Sequence, residues 1–422
     1  MSNSCDINNL IENAQDSLFR TFCDIDKICI SNEQKVLQSM IDNKLVDADF
    51  NPSDGYGYSD LGRDKIDKIF ASIFHTEDAL VRFQIPSATS AISLVLFSLL
   101  LPGDEFFSCD GMPYDTLESV IGKNNEPCSL SEMGCKFSYI DLIPAKYDEN
   151  GKLLESEKYD EEKILKSITS KTKLVMLQRS KGYTLRHSFL PEEIGNIIKK
   201  IKEKNNNIIC IVDNCYGTFV CEKEPSDYGA DIVIGSLIKN AGGGITDCGA
   251  YIVGKKDLIE RCSYRLTAPG LGKEIGASLG FNKNILKGLY FAPRSVSDAV
   301  KTQVLFSRCL EEKGYKTFPS SNEKRSDIIT AIEFGDKDRL EEFVTNIQKY
   351  SPVNSNLRPV FDDMPGYDSK VIMAAGCFVS GASLELSCDA PLKAPYVAYL
   401  QGGVNYGMSK LVLQKILMAR GK

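Results

Sequence analysis

The feature that most constrains this chain is a long alternation of short apolar runs with helical runs, between about residues 80 and 255. Strand-like runs this apolar, separated by helices such as Ser90–Leu100 and Pro191–Lys202, predict a mostly parallel sheet covered on both faces. In such a sheet the ligand site lies beyond the carboxyl ends of the strands. The predicted strands are Ala79–Phe83, Glu105–Cys109, Lys136–Asp141, Lys173–Gln178, Ile208–Asp213, Asp231–Gly235 and Gly249–Val253.

The length of 422 residues exceeds the usual size of a single hydrophobic core, so two domains are expected. After about residue 300, the strand-like runs Ile328–Phe334 and Val371–Val379 flank a helical segment at Lys337–Lys349. The predicted units are a large cofactor-binding α/β domain over 61–300, a smaller C-terminal α/β domain over 301–422, and an N-terminal helical arm over 1–60 that packs on the small domain.

Composition excludes several classes of function. Two histidines cannot form a multi-histidine metal site, and the 14 cysteines include no CxxC pair, so we expect no metal and reduced, buried thiols. The formal net charge of −7 argues against nucleic-acid and anionic-membrane partners. The N-terminus lacks a signal-peptide pattern, and the apolar run Ala91–Leu101 is about half a membrane span. We therefore expect a soluble, cytoplasmic protein.

Chemically capable residues follow several of the predicted strands. Asp213 ends one apolar strand, and Lys239 follows the next one, just before three glycines. The small-residue turn Ile85–Ala91 opens a helix, and Tyr114 follows another strand. Each of these features also has an ordinary structural explanation when it is taken singly. Asp213 could cap a turn, the small-residue turn could cap a helix, and Tyr114 could be a packing residue. For Lys239, partial desolvation predicts a lowered pKa and hence a usable nucleophile and base.

Together these features describe a site for pyridoxal phosphate. In such a site a lysine forms an imine with the cofactor aldehyde, and an acid keeps the pyridine nitrogen protonated. An aromatic ring stacks on the cofactor, and a small-residue turn at a helix N-terminus holds the phosphate. A nucleotide site explains the turn less well, because neither GxGxxG nor GxxxxGK[ST] is present.

The same segments carry a resemblance to a known family. From about residue 30 onward the chain contains, in order, GYGYSDLGRDKID, RFQIPSATSA, PYDTLESVIG, LQRSKGY, VDNCYG, GSLIKNAGGG and GASLELS. With these motifs it resembles the methionine gamma-lyase-like proteins, often called aluminium resistance proteins, within the cystathionine beta-lyase group of fold-type I pyridoxal-phosphate enzymes. The resemblance implies an α/β, fold-type I transferase-like architecture and pyridoxal 5'-phosphate as cofactor.

The resemblance also implies roles for individual residues. Lys239 is expected to be the imine lysine and proton shuttle, Asp213 the partner of the pyridinium nitrogen, and Tyr114 the stacking ring. The expected phosphate ligands of the same chain are Ser87, Ala88, Thr89 and Ser236. In related lyases a tyrosine and an arginine of the neighbouring subunit complete the phosphate site, and the candidates here are Tyr58 and Arg63, with Tyr56 behind them.

Two positions depart from the family pattern. Ser90 stands where the family has a histidine in the phosphate turn, so a ring-side imidazole is lost. Lys393 falls where an arginine for the substrate carboxylate is expected, and a lysine there would act as a point charge. Arg179, at a strand end, is the competing candidate for the carboxylate.

The function implied is a carbon–sulfur lyase that performs β- or γ-elimination on a sulfur-containing amino acid of the cystathionine or methionine type. The alternatives are another pyridoxal-phosphate reaction, such as aminotransfer, or a cofactor-binding stress-tolerance protein with little turnover. A shared phosphate site implies a homodimer or homotetramer. Arg265 lies in a segment that fits either the subunit interface or an ordinary loop, and Cys215, close to Asp213, is expected to be packing.

Overall fold

The large sheet of the computed structural model, which describes residues 2–147, 153–364 and 369–419, has seven strands in the order β1-β9-β8-β7-β6-β2-β3. Strand β9 runs antiparallel to both of its neighbours, and the other pairings in this sheet are parallel. The predicted mostly parallel sheet is therefore confirmed. Its strands are β1 (Asp78–Arg82), β2 (Glu105–Ser108), β3 (Lys136–Tyr139), β6 (Thr172–Gln178), β7 (Ile209–Asp213), β8 (Ile232–Ser236) and β9 (Ala250–Gly254), and a separate hairpin holds β4 (Lys146–Tyr147) and β5 (Leu153–Glu155).

Strand β7 shows why this sheet is covered on both faces. Successive side chains of a strand point to opposite faces, and here Ile209 and Ile211 enter one apolar cluster while Cys210 and Val212 enter another. Burial of both faces explains the nearly continuous apolar runs in the sequence. The helices of the large domain are α3 (Leu61–Ile73), α4 (Ala88–Leu99), α5 (Asp115–Ile121), α6 (Glu161–Ser167), α7 (Pro191–Lys204) and α8 (Lys256–Leu266).

The small sheet is antiparallel throughout, in the order β10-β11-β14-β13-β12. Its strands are β10 (Lys316–Phe318), β11 (Ile329–Glu333), β12 (Val371–Ala374), β13 (Ser387–Pro391) and β14 (Val397–Gln401), and its helices are α10 (Lys337–Lys349) and α11 (Tyr406–Ala419). The strand predicted over Val371–Val379 ends early because the N–H groups of Phe378 and Val379 donate to the Glu385 carboxylate instead of to a neighbouring strand.

The long helix α9 (Phe281–Glu312) connects the two sheets, so the boundary predicted at residue 300 falls inside a helix. The N-terminal helices α1 (Ser2–Ser17) and α2 (Phe19–Asp42) pack against α9, and α1 also packs against α11. The predicted arm therefore contacts both the connecting helix and the small domain. Within the described ranges, no helix combines the length and apolar character needed to cross a membrane.

Candidate active site

A cavity of about 460 Å³ lies beyond the carboxyl ends of strands β2, β6 and β7 of the large sheet. Gln178 and Asp213, the last residues of β6 and β7, line it together with Asp110, which follows β2. Asp389 of strand β13 lines it from the small domain. The cavity thus lies between the two domains, at the sheet edge where parallel strands bring their ends together.

Lys239 enters the cavity from the turn that follows β8. Its Nζ atom lies 3.8 Å from the centre of the Tyr216 ring. Asn240 fixes this turn, because its amide donates to the carbonyl oxygens of Tyr216 and Thr218 at 3.0 Å each. Gly242 is required for the turn, since a Cβ atom there would lie 1.6 Å from the carbonyl oxygen of Leu237.

The predicted lowering of the Lys239 pKa is wrong for the protein without a cofactor. Burial does lower the pKa of this amine, but the acidic groups of Tyr216, Cys215 and Asp213 outweigh it, and the net shift is upward. The lysine is therefore held as an ammonium ion. Its use as a nucleophile or base requires a change in the charges around it, such as the arrival of a cationic group beside Asp213.

Asp213 and Tyr114 form the walls next to the lysine. Asp213 Oδ1 accepts a hydrogen bond from the Cys215 backbone N–H at 3.0 Å, which fixes the carboxylate at the strand end. The Tyr114 hydroxyl lies 3.2 Å from Thr89 Oγ1, and burial raises the Tyr114 pKa well above its ordinary value. Burial likewise raises the pKa of the cavity-lining Cys215 thiol well above its ordinary value.

The small-residue turn forms the N-terminus of helix α4 at the cavity. Ser87 caps the helix, since its Oγ atom accepts the Ser90 backbone N–H at 3.0 Å, and the two hydroxyl oxygens lie 2.8 Å apart. Ala88 and Thr89, in the first turn, line the cavity. The positive end of a helix dipole therefore faces the same space as Lys239 and Asp213. Ser236, the last residue of β8, is buried, and its Oγ atom accepts the Ile238 N–H at 3.3 Å.

Neither residue predicted to bind the substrate carboxylate is brought to this cavity. Arg179 is fully buried away from it, with its Nη1 atom 3.1 Å from Glu224 Oε2 and 2.7 Å from Asn214 Oδ1. Lys393 is exposed in the turn after β13 and does not line the cavity in the described part of the chain. The charge of Arg179 is paired with Glu224 inside the protein, although its Nη2 atom has no hydrogen-bond partner among the described residues. The strand-end position could not show this pairing.

The residues predicted to reach a neighbouring subunit divide into two groups. Arg63 is buried and donates to the carbonyl oxygens of Gly57 and Gly276 at 2.9 and 3.1 Å, so its guanidinium supports a loop of its own chain. Tyr56 and Tyr58 are 68% and 61% exposed and stack on each other with ring centres 5.5 Å apart. Their role in a neighbouring site stays a prediction.

Sequence reasoning missed several residues that line the cavity. They are Tyr216, whose ring faces the lysine, and four charged residues, Asp110, Lys181, Arg186 and Asp389. Tyr216 could have been found, because it lies just beyond Asp213 in the VDNCYG motif. The charged residues lie in loops and in the small domain, where the sequence has no periodic signal.

Comparison with known proteins decides the family. The pattern of the family described as methionine gamma-lyase matches residues 7–420. The chain belongs to the methionine gamma-lyase family. The chain is 46% identical over 388 residues to the protein YnbB of Bacillus subtilis (strain 168), a match that covers 92% of this chain and 90% of YnbB.

Solved structures agree with the family assignment. A carbon-sulfur lyase involved in aluminum resistance from Clostridium novyi NT is 41% identical, with a TM-score of 0.91 over 98% of this chain and 96% of that one. CalE6, a methionine gamma lyase from Micromonospora echinospora, is 16% identical, with a TM-score of 0.54 over 84% of this chain and 86% of that one. The second likeness shows the fold alone, which is the fold-type I lyase architecture.

Proposed function

We propose that this chain is a pyridoxal-phosphate-dependent carbon–sulfur lyase. The observation that carries the proposal is the meeting of Thr89, Tyr114, Asp213 and Lys239 around one cavity, although these residues come from separate parts of the chain. Membership of the methionine gamma-lyase family supports the same conclusion.

The residues around the cavity fit pyridoxal phosphate in chemical type. The primary amine of Lys239 can condense with an aldehyde, and the carboxylate of Asp213 can pair with a protonated ring nitrogen. Tyr114 offers an aromatic face, and the N-terminus of helix α4 at Ala88 and Thr89 offers N–H groups and a hydroxyl for a phosphate. A cationic ring nitrogen would also offset the Asp213 charge that contributes to the raised pKa of Lys239.

When bound, the cofactor supplies an electron sink for the charge that develops at the substrate α-carbon. Asp213 holds the proton on the ring nitrogen, and the Cys215 N–H fixes the Asp213 carboxylate. The Lys239 amine takes the α-proton, and Tyr216, whose ring lies against this amine, limits its movement. The Tyr183 hydroxyl donates to Asp389 Oδ2 at 2.9 Å, and this hydrogen bond joins the two domains at the cavity.

The substrate class proposed is a sulfur-containing amino acid of the cystathionine or methionine type. Loss of the α-proton to Lys239 allows a carbon–sulfur bond at the β-carbon to break with the thiol as leaving group. A carbon–sulfur bond at the γ-carbon breaks only after a proton has left the β-carbon as well. Uptake of one water then releases ammonia and a 2-oxo acid, so the atoms balance. Methionine carries its sulfur on the γ-carbon, whereas cystathionine has carbon–sulfur bonds at both a β-carbon and a γ-carbon, so the products of each substrate show which elimination takes place.

Product analysis on purified enzyme loaded with pyridoxal phosphate tests this proposal. We expect methionine or cystathionine to give a thiol, ammonia and a 2-oxo acid without any added acceptor. Amine transfer that depends on an added 2-oxo acid would show an aminotransferase instead. Normal cofactor absorbance with no turnover of sulfur amino acids would show a binding protein and would contradict the lyase proposal.

We further propose a homodimer or homotetramer in which the exposed pair Tyr56 and Tyr58 meets the phosphate site of a neighbouring copy. The pair is supported as a contact surface because two stacked aromatic rings rarely stay in water. Sedimentation of the holoenzyme gives the subunit number, and Tyr58→Ala is expected to weaken cofactor binding. A monomeric holoenzyme would contradict the proposal.

A further inference from the structure

An amino-acid substrate brings an α-carboxylate into the cavity, and a buried carboxylate needs a cationic partner. The cationic side chains among the described residues that line the cavity are Lys181, Arg186 and Lys239. Lys239 is assigned to the cofactor, so the choice lies between the other two. This step rests on the proposed function.

Arg186 is already committed to the protein. Its Nη2 atom donates to the carbonyl oxygens of Gln178 and Ser180 at 3.0 and 2.6 Å, and its Nη1 atom donates to that of His187 at 2.9 Å. Its Nη2 atom also lies 4.0 Å from the Asp110 carboxylate. Both terminal nitrogens therefore hold the loop that follows β6, and their charge has a counter-ion.

Lys181 is in the opposite situation. It is 1% exposed, and within the described residues its ammonium donates one hydrogen bond, to the carbonyl oxygen of Phe318 at 2.7 Å, and forms no ion pair. An ammonium has three donor hydrogens, so two have no acceptor among the described residues. Burial lowers the pKa of Lys181 to about 8, with Asp327 opposing the shift, as expected for a buried cation that lacks a close counter-ion.

The backbone of this residue is held in place independently of its side chain. The Lys181 N–H donates to Ser188 Oγ at 3.2 Å and to Asp327 Oδ2 at 3.4 Å, and these contacts join the loop to the small domain. Asp389 also lines the cavity, and it accepts hydrogen bonds from Tyr183 and Gln401 at 2.9 and 2.7 Å. The cavity thus holds one cation that attracts a carboxylate and one carboxylate that repels it.

We propose that Lys181 binds the α-carboxylate of the amino-acid substrate and that Lys181 and Asp389, which line the same cavity with opposite charges, set the orientation of the substrate there. The arrangement selects α-amino acids over amines that lack the carboxylate. The substrate carboxylate is thereby bound by Lys181 in the loop after β6, whereas the sequence predicted Arg179 or Lys393 for this role.

The test compares two ligands that differ only in the carboxylate, methionine and 3-(methylthio)propylamine. Spectral titration of the holoenzyme gives their dissociation constants, and the wild-type chain is expected to prefer methionine. Lys181→Gln should weaken methionine binding by about 10- to 100-fold, as for loss of a buried charged hydrogen bond, and leave the amine unchanged. Lys181→Arg should retain most of the preference, and Lys173→Gln, exposed on β6, is the matched control.

Two readouts do not depend on the loaded enzyme. Calorimetry on the cofactor-free chain with 4-(methylthio)butanoate, which keeps the carboxylate and lacks the amine, should show binding that Lys181→Gln loses. The thermal unfolding midpoint of Lys181→Gln should equal or exceed that of the wild-type chain, because an unpaired buried charge has been removed.

The outcomes separate the two proposals. If the wild-type chain shows no visible cofactor absorbance with added pyridoxal phosphate, both the function and the role of Lys181 are overturned. If absorbance is normal and Lys181→Gln still prefers methionine over the amine, the role of Lys181 alone is overturned. A lowered unfolding midpoint with equal weakening of both ligands would make Lys181 a structural residue and would also overturn the inference.

Discussion

Arg179 and Lys181 are two buried cations of one short segment, LQRSKGY, and they lie in different electrostatic surroundings. Arg179 belongs to a closed cluster in which Glu224 supplies the opposite charge and Asn214 a further hydrogen bond. Lys181 lines the cavity and donates to a single carbonyl oxygen. Burial is thus the same for both residues, and only the partners differ.

This difference distinguishes a buried charge that stabilises the fold from a buried charge that can bind a ligand. A buried cation with a matched anion stabilises the fold when both are present, and removal of one partner is costly. A buried cation without an anion costs stability, and the protein retains such a group where a ligand supplies the missing charge. The closed cluster and the cavity wall should therefore respond to substitution in different ways.

The largest effect is expected from a substitution in the cavity, where it should lower the activity. Lys239→Ala removes the amine assigned to the cofactor and to the α-proton, so activity should fall by about 10⁴-fold. The visible absorbance of the lysine-bound cofactor should disappear, while circular dichroism shows a folded chain. Activity and absorbance close to those of the Lys173→Ala control would contradict the assignment of Lys239.

The second-largest effect is expected on the stability of the closed cluster around Arg179. Glu224→Gln leaves the buried Arg179 charge without its anion, so the free energy of unfolding should fall by about 3–5 kcal/mol. Urea unfolding followed by fluorescence measures the change, with Glu162→Gln, an exposed carboxylate on helix α6, as control. A loss below about 1 kcal/mol, which is the scale of a surface ion pair, would break the distinction between the two regions.

The pH dependence of carboxylate binding sharpens the comparison. Lys181 loses its charge as the pH rises through its pKa of about 8. Burial lowers this pKa most, Arg325 and Arg186 lower it further, and Asp327 and Glu323 raise it. Binding of 4-(methylthio)butanoate to the cofactor-free chain should be full below this pH and weaken by about tenfold per pH unit above it.

The variant Lys181→Arg is the matched control for this pH profile, because an arginine keeps its charge at high pH. Its binding of 4-(methylthio)butanoate should stay level between about pH 7 and pH 10. The same fall in both proteins would assign the titration to another group.

The smallest effect on substrate binding is expected at Lys393, the exposed cation. Lys393→Ala should change the Kd for methionine by less than about twofold, because this residue lies in water outside the cavity. Spectral titration under the conditions used for Lys181 measures it. A tenfold weakening would show that Lys393 reaches a site, which in an oligomer means the site of a neighbouring copy.

The sequence carried much of the fold because its information is local and periodic. The apolar run Ile208–Asp213 predicted strand β7 within one residue, and the Ser87 turn predicted the start of helix α4. The strand ends then indicated that Asp213 and Lys239 lie on the same edge of one sheet. The strand over Val371–Val379 was predicted too long, because Glu385 competes for its backbone N–H groups and no pattern in the sequence shows that competition.

The sequence predicted those cavity residues that lie at or just after the ends of strands. Tyr216, Lys181 and Asp389 line the same cavity but lie in a turn, a loop and the small domain. The raised pKa of Lys239 was likewise beyond the sequence, because it depends on the distances to Tyr216, Cys215 and Asp213.

The sequence by itself determined the α/β architecture, the family motifs and the acid and lysine at neighbouring strand ends. Only the tertiary structure decided which basic residues line the cavity. The sequence predicted a carboxylate-binding role for Arg179 and not for Lys181, although both residues follow strand β6. Their roles diverge because Glu224 folds back onto Arg179, whereas the small domain brings Lys181 a single carbonyl oxygen. Charge pairing between distant segments is a property of the folded chain and leaves no periodic trace in its sequence.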